Sequence, residues 1–204
     1  MATTTLTALL ASLKSANLLP SPIIPDTFCP TYNLTVRFPN LTPQNGDLAR
    51  VSQVKEQPLI TLSPLSATPA AAGNETSFTF MQIDPDAPTP DDPKYSYWRH
   101  WIVSNIPGSA AEEETGADVI AKGRTVTPYL APGPKDDSGP HRYLFLLFKE
   151  CGGKGLEVGD VGGEEFVDRR SFRAERVVQE KGMELVGVQW MRGVGDGWVG
   201  ETGQ

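Results

Sequence analysis

Arg142-Tyr143-Leu144-Phe145-Leu146-Leu147-Phe148-Lys149 sets six consecutive apolar or aromatic side chains between two cations. Successive side chains of a strand point to opposite faces, so a run that is apolar at every position reads as a strand covered on both sides. The run is short for a buried helix and follows the Pro/Gly stretch Pro128–Pro140, which places it at the centre of a sheet. Outward from it, Ser77–Ile83 is a second strong strand that delivers the chain directly into Asp84. Trp98–Asn105 is a third, closed by Pro107-Gly108. Alternation there puts Trp98, His100 and Ile102 on one face and Arg99, Trp101 and Val103 on the other. Tyr32, Leu34, Val36 and Phe38 alternate with polar residues as a half-buried strand. Pro58–Leu62 is a short strand and Glu184–Met191 the last one.

Helical signals are few. Leu6, Leu9, Leu10 and Leu13 share one helical face, with Thr4 or Thr5 as the expected cap. Asp168–Lys181 is expected to be helical, stopped by Gly182. Pro20, Pro22, Pro25 and Pro30 force an extended segment between helix and first strand. Pro39–Gly46 reads as a turn, and Ser63–Thr76, Ser109–Arg124 and Gly152–Glu165 as loops. Strands do not alternate with helices, so the pattern favours a mainly β fold: an antiparallel β-sandwich with one large central sheet, a smaller sheet and peripheral helices. One domain over residues 1–204 is expected, with a helical lead at 1–20 and a flexible tail at 193–204.

The composition excludes some partners. With 18 basic and 25 acidic side chains and a net charge of −7, the chain lacks the basic face that nucleic acid requires. No stretch is long and apolar enough to span a membrane, and Met1–Thr5 carries no charge of the kind that opens a signal peptide. Three of the six asparagines, Asn33, Asn40 and Asn74, stand in N-x-T sequons, which is compatible with secretion; a cytoplasmic protein is the main expectation. Cys29 and Cys151 are read as two reduced, mostly buried thiols.

The chain contains two histidines, His100 and His141, each inside a dense motif. Asp84-Pro85-Asp86-Ala87-Pro88 ends one strand stiffly enough to aim the Asp84 carboxylate, whereas Asp86 reads as a turn cap. His100 sits two residues from Trp98, and His141 opens the central strand with Tyr143 on its face. Arg142 points the other way as a structural ion-pair partner. A metal-dependent hydrolase built on Asp84, His100 and His141 is a remote alternative, since these residues lack the short spacing of usual ligand motifs. There is no G-x-S-x-G, no P-loop and no dinucleotide fingerprint, so no catalytic residue, metal or cofactor is expected.

Asp84-Pro85-Asp86-Ala87-Pro88, the run Pro93-Lys94-Tyr95-Ser96-Tyr97-Trp98-Arg99-His100-Trp101 with its Asn105-Ile106-Pro107-Gly108 end, and Gly139-Pro140-His141-Arg142-Tyr143 together resemble the signature regions of the phosphatidylethanolamine-binding protein family. Weaker similarity extends to Ile24-Pro25, Asn45-Gly46-Asp47 and Glu184–Val188. The family includes Raf kinase inhibitor protein, plant flowering regulators and a fungal carboxypeptidase Y inhibitor, and the long N-terminal lead looks most like fungal members. The resemblance implies a small anion pocket formed by Asp84, Tyr95, Trp98, His100, Gly133, Pro134, His141 and Tyr143, and a cis Ala87–Pro88 peptide. It implies a non-enzymatic binding protein whose ligand is phosphate or a phospholipid head group, with peripheral membrane contact. The expected protein partner is a serine carboxypeptidase, which the protein would inhibit through its N-terminal segment, so that deleting Met1–Ser21 abolishes inhibition and spares phosphate binding. The alternative is a phospholigand-responsive scaffold for a kinase pathway. The loop before His141 departs from the family pattern at Ala131 and Lys135, and Asp136 and Asp137 are also atypical: Lys135 would add a positive rim that the two aspartates would cancel.

Overall fold

A computed structural model describes residues 2–65, 76–111, 116–152 and 154–200. Among them the chain forms helix α1 (Ala2–Ser15), strands β1 (Tyr32–Arg37), β2 (Leu48–Arg50), β3 (Leu59–Pro64), β4 (Ser77–Asp84), β5 (Trp98–Pro107), β6 (Arg124–Thr127) and β7 (His141–Lys149), helix α2 (Ala174–Lys181) and strand β8 (Glu184–Val194). β1 and β3 pair antiparallel as a two-stranded sheet, and the other six make one sheet in the order β2-β8-β7-β4-β5-β6.

β7 lies inside this sheet between β4 and β8, and its alternation feeds two cores. Leu144, Leu146 and Phe148 pack with Leu13 of α1, Val177 of α2 and Trp190. Tyr143, Phe145 and Leu147 pack with Leu34 and Val36 of β1, Ile60 and Leu62 of β3, and Phe80 and Trp101. Each fully buried Leu or Phe contributes roughly 1.5–3 kcal/mol, so the apolar run is a principal source of stability on both faces. The small sheet covers one face. Helices and the segment Leu18–Phe28 cover the other, so the fold is mainly β with two sheets and two helices, and neither face meets a second full sheet.

Several expectations change. The large sheet is not wholly antiparallel: β2 runs parallel to β8 at one edge, and its three residues are too few to show a period in the sequence. The segment Asp168–Lys181 is α-helical only from Ala174, after a 3-10 turn at Phe166–Arg169, because the Ser171 and Phe172 N–H groups are given to the carbonyls of Tyr95 and Tyr97. Helix α1 already includes Thr4 and Thr5, which therefore do not precede it. Both cysteines are exposed, Cys151 on the turn that leaves β7. β8 continues through Gly193 to Val194, and Arg50 Nη1 donates to the carbonyls of Gly195 (3.2 Å) and Asp196 (2.7 Å), so the start of the glycine-rich tail is held to the body. Most of the Ser63–Thr76 loop, with the Asn74 sequon, and residues 201–204 lie outside the described residues.

Candidate functional site

Gln82 faces Trp101 and Ile83 faces Arg99 across the β4–β5 ladder, which makes His100 an extra residue in β5. Such a bulge breaks the two-residue period and re-aims the side chain it carries. Ile102 accordingly enters the core that holds Leu144, while Trp101 and Val103 enter the opposite one with Tyr143. Arg99 lies over Phe172, on the Ile102 side (5.6 Å to the ring centroid). His100 meets the Tyr143 ring edge-on at 5.3 Å. The expected split is therefore wrong: His100 shares its face with Trp101 and Val103. The buried Arg169 holds the bulge, its Nη1 donating to the His100 carbonyl (2.8 Å) and its Nη2 to that of Pro128 (2.9 Å).

At the end of β4, Asp84 Oδ1 accepts the Asp86 N–H (2.6 Å) and Oδ2 accepts the His141 Nδ1–H (2.8 Å). Asp84, not Asp86, closes the turn. Asp86 instead takes Arg142, accepting from its Nη2 (2.6 Å), Nε (2.9 Å) and backbone N–H (2.7 Å). Arg142 Nη1 continues to the Ala16 carbonyl after α1 (2.8 Å). The Ala87–Pro88 peptide is cis. The two carboxylates of one stiff turn thus serve opposite sheet faces, one orienting an imidazole and one anchoring the N-terminal lead.

The hydrogen bonds fix both tautomers. His100 donates Nδ1–H to the Leu130 carbonyl (2.7 Å), and His141 donates Nδ1–H to Asp84. Each neutral imidazole therefore carries its lone pair on Nε2. His141 Nε2 is buried and has no hydrogen-bond partner among the described residues. Burial pushes the His100 imidazole below its ordinary 6.5, against the pull of Asp84. Burial, reinforced by Asp84, pushes the Tyr143 phenol well above 10, so it keeps its proton.

These groups line a cavity of about 630 Å³ together with Trp98, Gly133 and Pro134, so the structure gathers seven of the eight expected pocket residues. Tyr95 is not among the lining residues. Its ring stands edge-on to Trp98 at 6.5 Å with the Arg170 guanidinium 4.8 Å from its centroid, supporting the wall from behind. Sequence reasoning missed Lys94, paired with Asp92 at 3.3 Å, and Phe166, half exposed at the mouth against Trp98. An apolar Phe166-Val167 pair inside an acidic run was the available signal for the latter. Among the described residues no three His, Cys, Asp or Glu side chains converge to hold a metal ion, and no helix is long and apolar enough to cross a membrane.

Comparison with known proteins agrees with this geometry. The sequence profile of the phosphatidylethanolamine-binding protein family matches residues 40–185. Protein MOTHER of FT and TFL1 homolog 2 of rice (Oryza sativa subsp. japonica) is 33% identical over 125 residues, which are 61% of this chain and 62% of that protein, so the chain spans less than two thirds of that relative. Protein SELF-PRUNING of Solanum lycopersicum is 31% identical over 146 residues, 71% of this chain and 74% of that protein. Among solved structures, carboxypeptidase Y inhibitor in complex with its cognate proteinase superposes with a TM-score of 0.75 at 19% identity, covering 93% of this chain and 96% of that one. The phosphatidylethanolamine-binding protein of Plasmodium vivax gives 0.69 at 21% identity, covering 92% and 97%. The bulged His100, the Asp84–His141 pair and the cis turn thus stand in a chain that belongs to the phosphatidylethanolamine-binding protein family.

Proposed function

We propose that the cavity binds a small anion, a phosphate or a phospholipid head group, and that the protein regulates a partner without catalysing a reaction. The observation that carries this reading is the pair of imidazoles whose Nδ1–H groups are spent inside the chain while His141 Nε2 is left without a partner. Protonation turns each Nε2 from an acceptor into a charged donor beside the Tyr143 hydroxyl, which suits phosphate oxygens. Neutral imidazoles repel the same oxygens. Binding therefore takes up protons and strengthens as the pH falls. Because burial lowers the His100 value, its share develops below pH 6.5. Calorimetric titration should find phosphate bound at least about tenfold tighter at pH 5.5 than at pH 8. Sulfate, which does not titrate in this range, should follow the same trend. Equal affinities at both pH values would remove the histidines from this role.

A second reading, inhibition of a serine carboxypeptidase, is supported by the fold shared with carboxypeptidase Y inhibitor over most of the chain. The deletion of Met1–Ser21 is unsuited to test it, because Leu13, Leu18 and Leu19 are core residues and Ser12 Oγ accepts the Trp190 Nε1–H (3.0 Å). Removing only Met1–Thr5 leaves those groups in place. This truncation should lower inhibition of a serine carboxypeptidase at least about tenfold, by removal of contacts the core does not need, and leave phosphate affinity unchanged. If the intact protein inhibits no such enzyme, the kinase-pathway scaffold is the better account.

A further inference from the structure

The loop Ala131–Asp137 carries three charged residues, of which Lys135 and Asp136 are sent in opposite directions and Asp137 is exposed outside the cavity lining. Lys135 lines the cavity mouth, is exposed, and has no ion-pair partner among the described residues. Asp136 turns away. Its Oδ1 accepts the Gly197 N–H (2.9 Å), and its backbone presses so closely on Gly195 that a Cβ there would stand 2.7 Å from the Asp136 nitrogen. Only a residue without a side chain allows that approach. The turn Gly195–Trp198, closed by the Trp198 N–H to the Gly195 carbonyl (3.2 Å), is gripped from its other side. Arg50 donates to it there, and the Ser52 N–H donates to Asp196 Oδ1 (2.9 Å). The Asp136 carboxylate is thus used as a latch to the body of the protein, and it does not neutralise Lys135.

The other carboxylates of the cavity are committed as well. Asp84 is shared by His141 and the Asp86 N–H, and Asp92 is paired with Lys94. An ammonium at the far end of a bound head group would find no uncommitted carboxylate among the residues that line the cavity and would meet Lys135. We infer that Lys135, positioned by Asp136 through the Gly195–Trp198 turn, makes this cavity select phosphomonoesters that carry no cation over ethanolamine-type head groups. This inference rests on the anion-pocket reading.

Glycerol 3-phosphate and phosphorylethanolamine test it, since they carry the same phosphate and differ chiefly by an ammonium. Titrated into the full-length protein at pH 6, glycerol 3-phosphate should bind roughly five- to tenfold tighter, as one charge–charge contact near a protein surface allows. Lys135→Gln should bring the ratio to about one. Asp136→Ala and Gly195→Ala, neither in the cavity, should also lower the ratio, with thermal unfolding showing that the variants remain folded. A purely structural defect would weaken both ligands alike and leave the ratio standing, which would overturn the positioning role. An unchanged ratio in Lys135→Gln, or a wild-type ratio of one, overturns the selection itself while leaving phosphate binding intact. Binding of neither compound by the wild type would sink the anion pocket along with it. Phosphatidylcholine vesicles distinguish the source: retention on those containing phosphatidic acid and not on those containing phosphatidylethanolamine extends the selection to lipids. Binding of the soluble ester alone assigns it to free phosphomonoesters. Both outcomes uphold the selection.

Discussion

An Asp84→Asn variant should lose roughly ten- to a hundredfold in phosphate affinity at pH 5.5 and little or nothing at pH 8, the scale of a charge-assisted hydrogen bond. The Asp86 N–H requires an acceptor at Oδ1, so the new amide would present its NH2 group to His141 Nδ1. That contact forbids the Nδ1–H tautomer and removes the negative charge that supports an imidazolium. At high pH the same flip places a proton on Nε2 and offers a neutral donor to the anion. The pH profile should therefore flatten. Calorimetry at the two pH values checks this, and a variant that keeps the full wild-type pH ratio would show that the Asp84–His141 pair does not govern binding. Because Asn still satisfies the Asp86 N–H, the fold should survive the change.

Glu150→Ala should damage stability as much as truncating a core aromatic residue, lowering it by about 3–5 kcal/mol and the melting temperature by roughly 10 °C. The carboxylate is buried just past the end of β7. It accepts from Ser77 Oγ (2.5 Å), Thr79 Oγ1 (2.6 Å), Ser104 Oγ (2.7 Å) and the Asn105 N–H (2.8 Å), which ties β4, β5 and β7 together. Alanine would take the acceptor from the Asn105 N–H and the Ser77 hydroxyl, and Thr79 and Ser104, 2.8 Å apart, could satisfy only one of their two donors between them. Burial acts to raise the Glu150 value, but the hydrogen bonds from Ser77, Thr79, Asn105 and Ser104 outweigh it and hold the carboxyl below its ordinary 4.5. A carboxyl lowered by folding contributes stability above its unfolded value, and that contribution is lost as the pH falls through the folded one. The wild type should accordingly lose stability below about pH 4.5, and the variant should lack that component. Denaturant melts at pH 7 and pH 4 measure both quantities. A loss under about 1 kcal/mol at pH 7 would show that the donors find other partners.

The central strand, the strand leading into Asp84 and the last strand were legible because local periodicity reports how many faces of a strand are covered, and Arg142–Lys149 is apolar at every position. The motif residues Asp84, Trp98, His100, Gly133, Pro134, His141 and Tyr143 were likewise legible, and they come together around one cavity. Local pattern did not reveal the bulge that turns His100 toward Tyr143, since an extra residue in a ladder exists only relative to its partner strand. Nor did it show that Asp86 holds Arg142 while Asp84 holds His141, or that Glu150 gathers four donors from two other strands. Asp136 and Asp137 follow Lys135 in the chain, so the sequence suggested that the two aspartates cancel it, yet Lys135 and Asp136 part company. Backbone approach to Gly195 separates them, pointing one at the body and leaving the other at the mouth. The sequence by itself thus determined the family, the sheet centre and the chemical inventory of the cavity, because these depend on residue type and short-range order. The tertiary structure alone decided which nitrogen of each imidazole is free and which charges remain uncompensated, because hydrogen-bond direction and charge pairing depend on residues far apart in the chain.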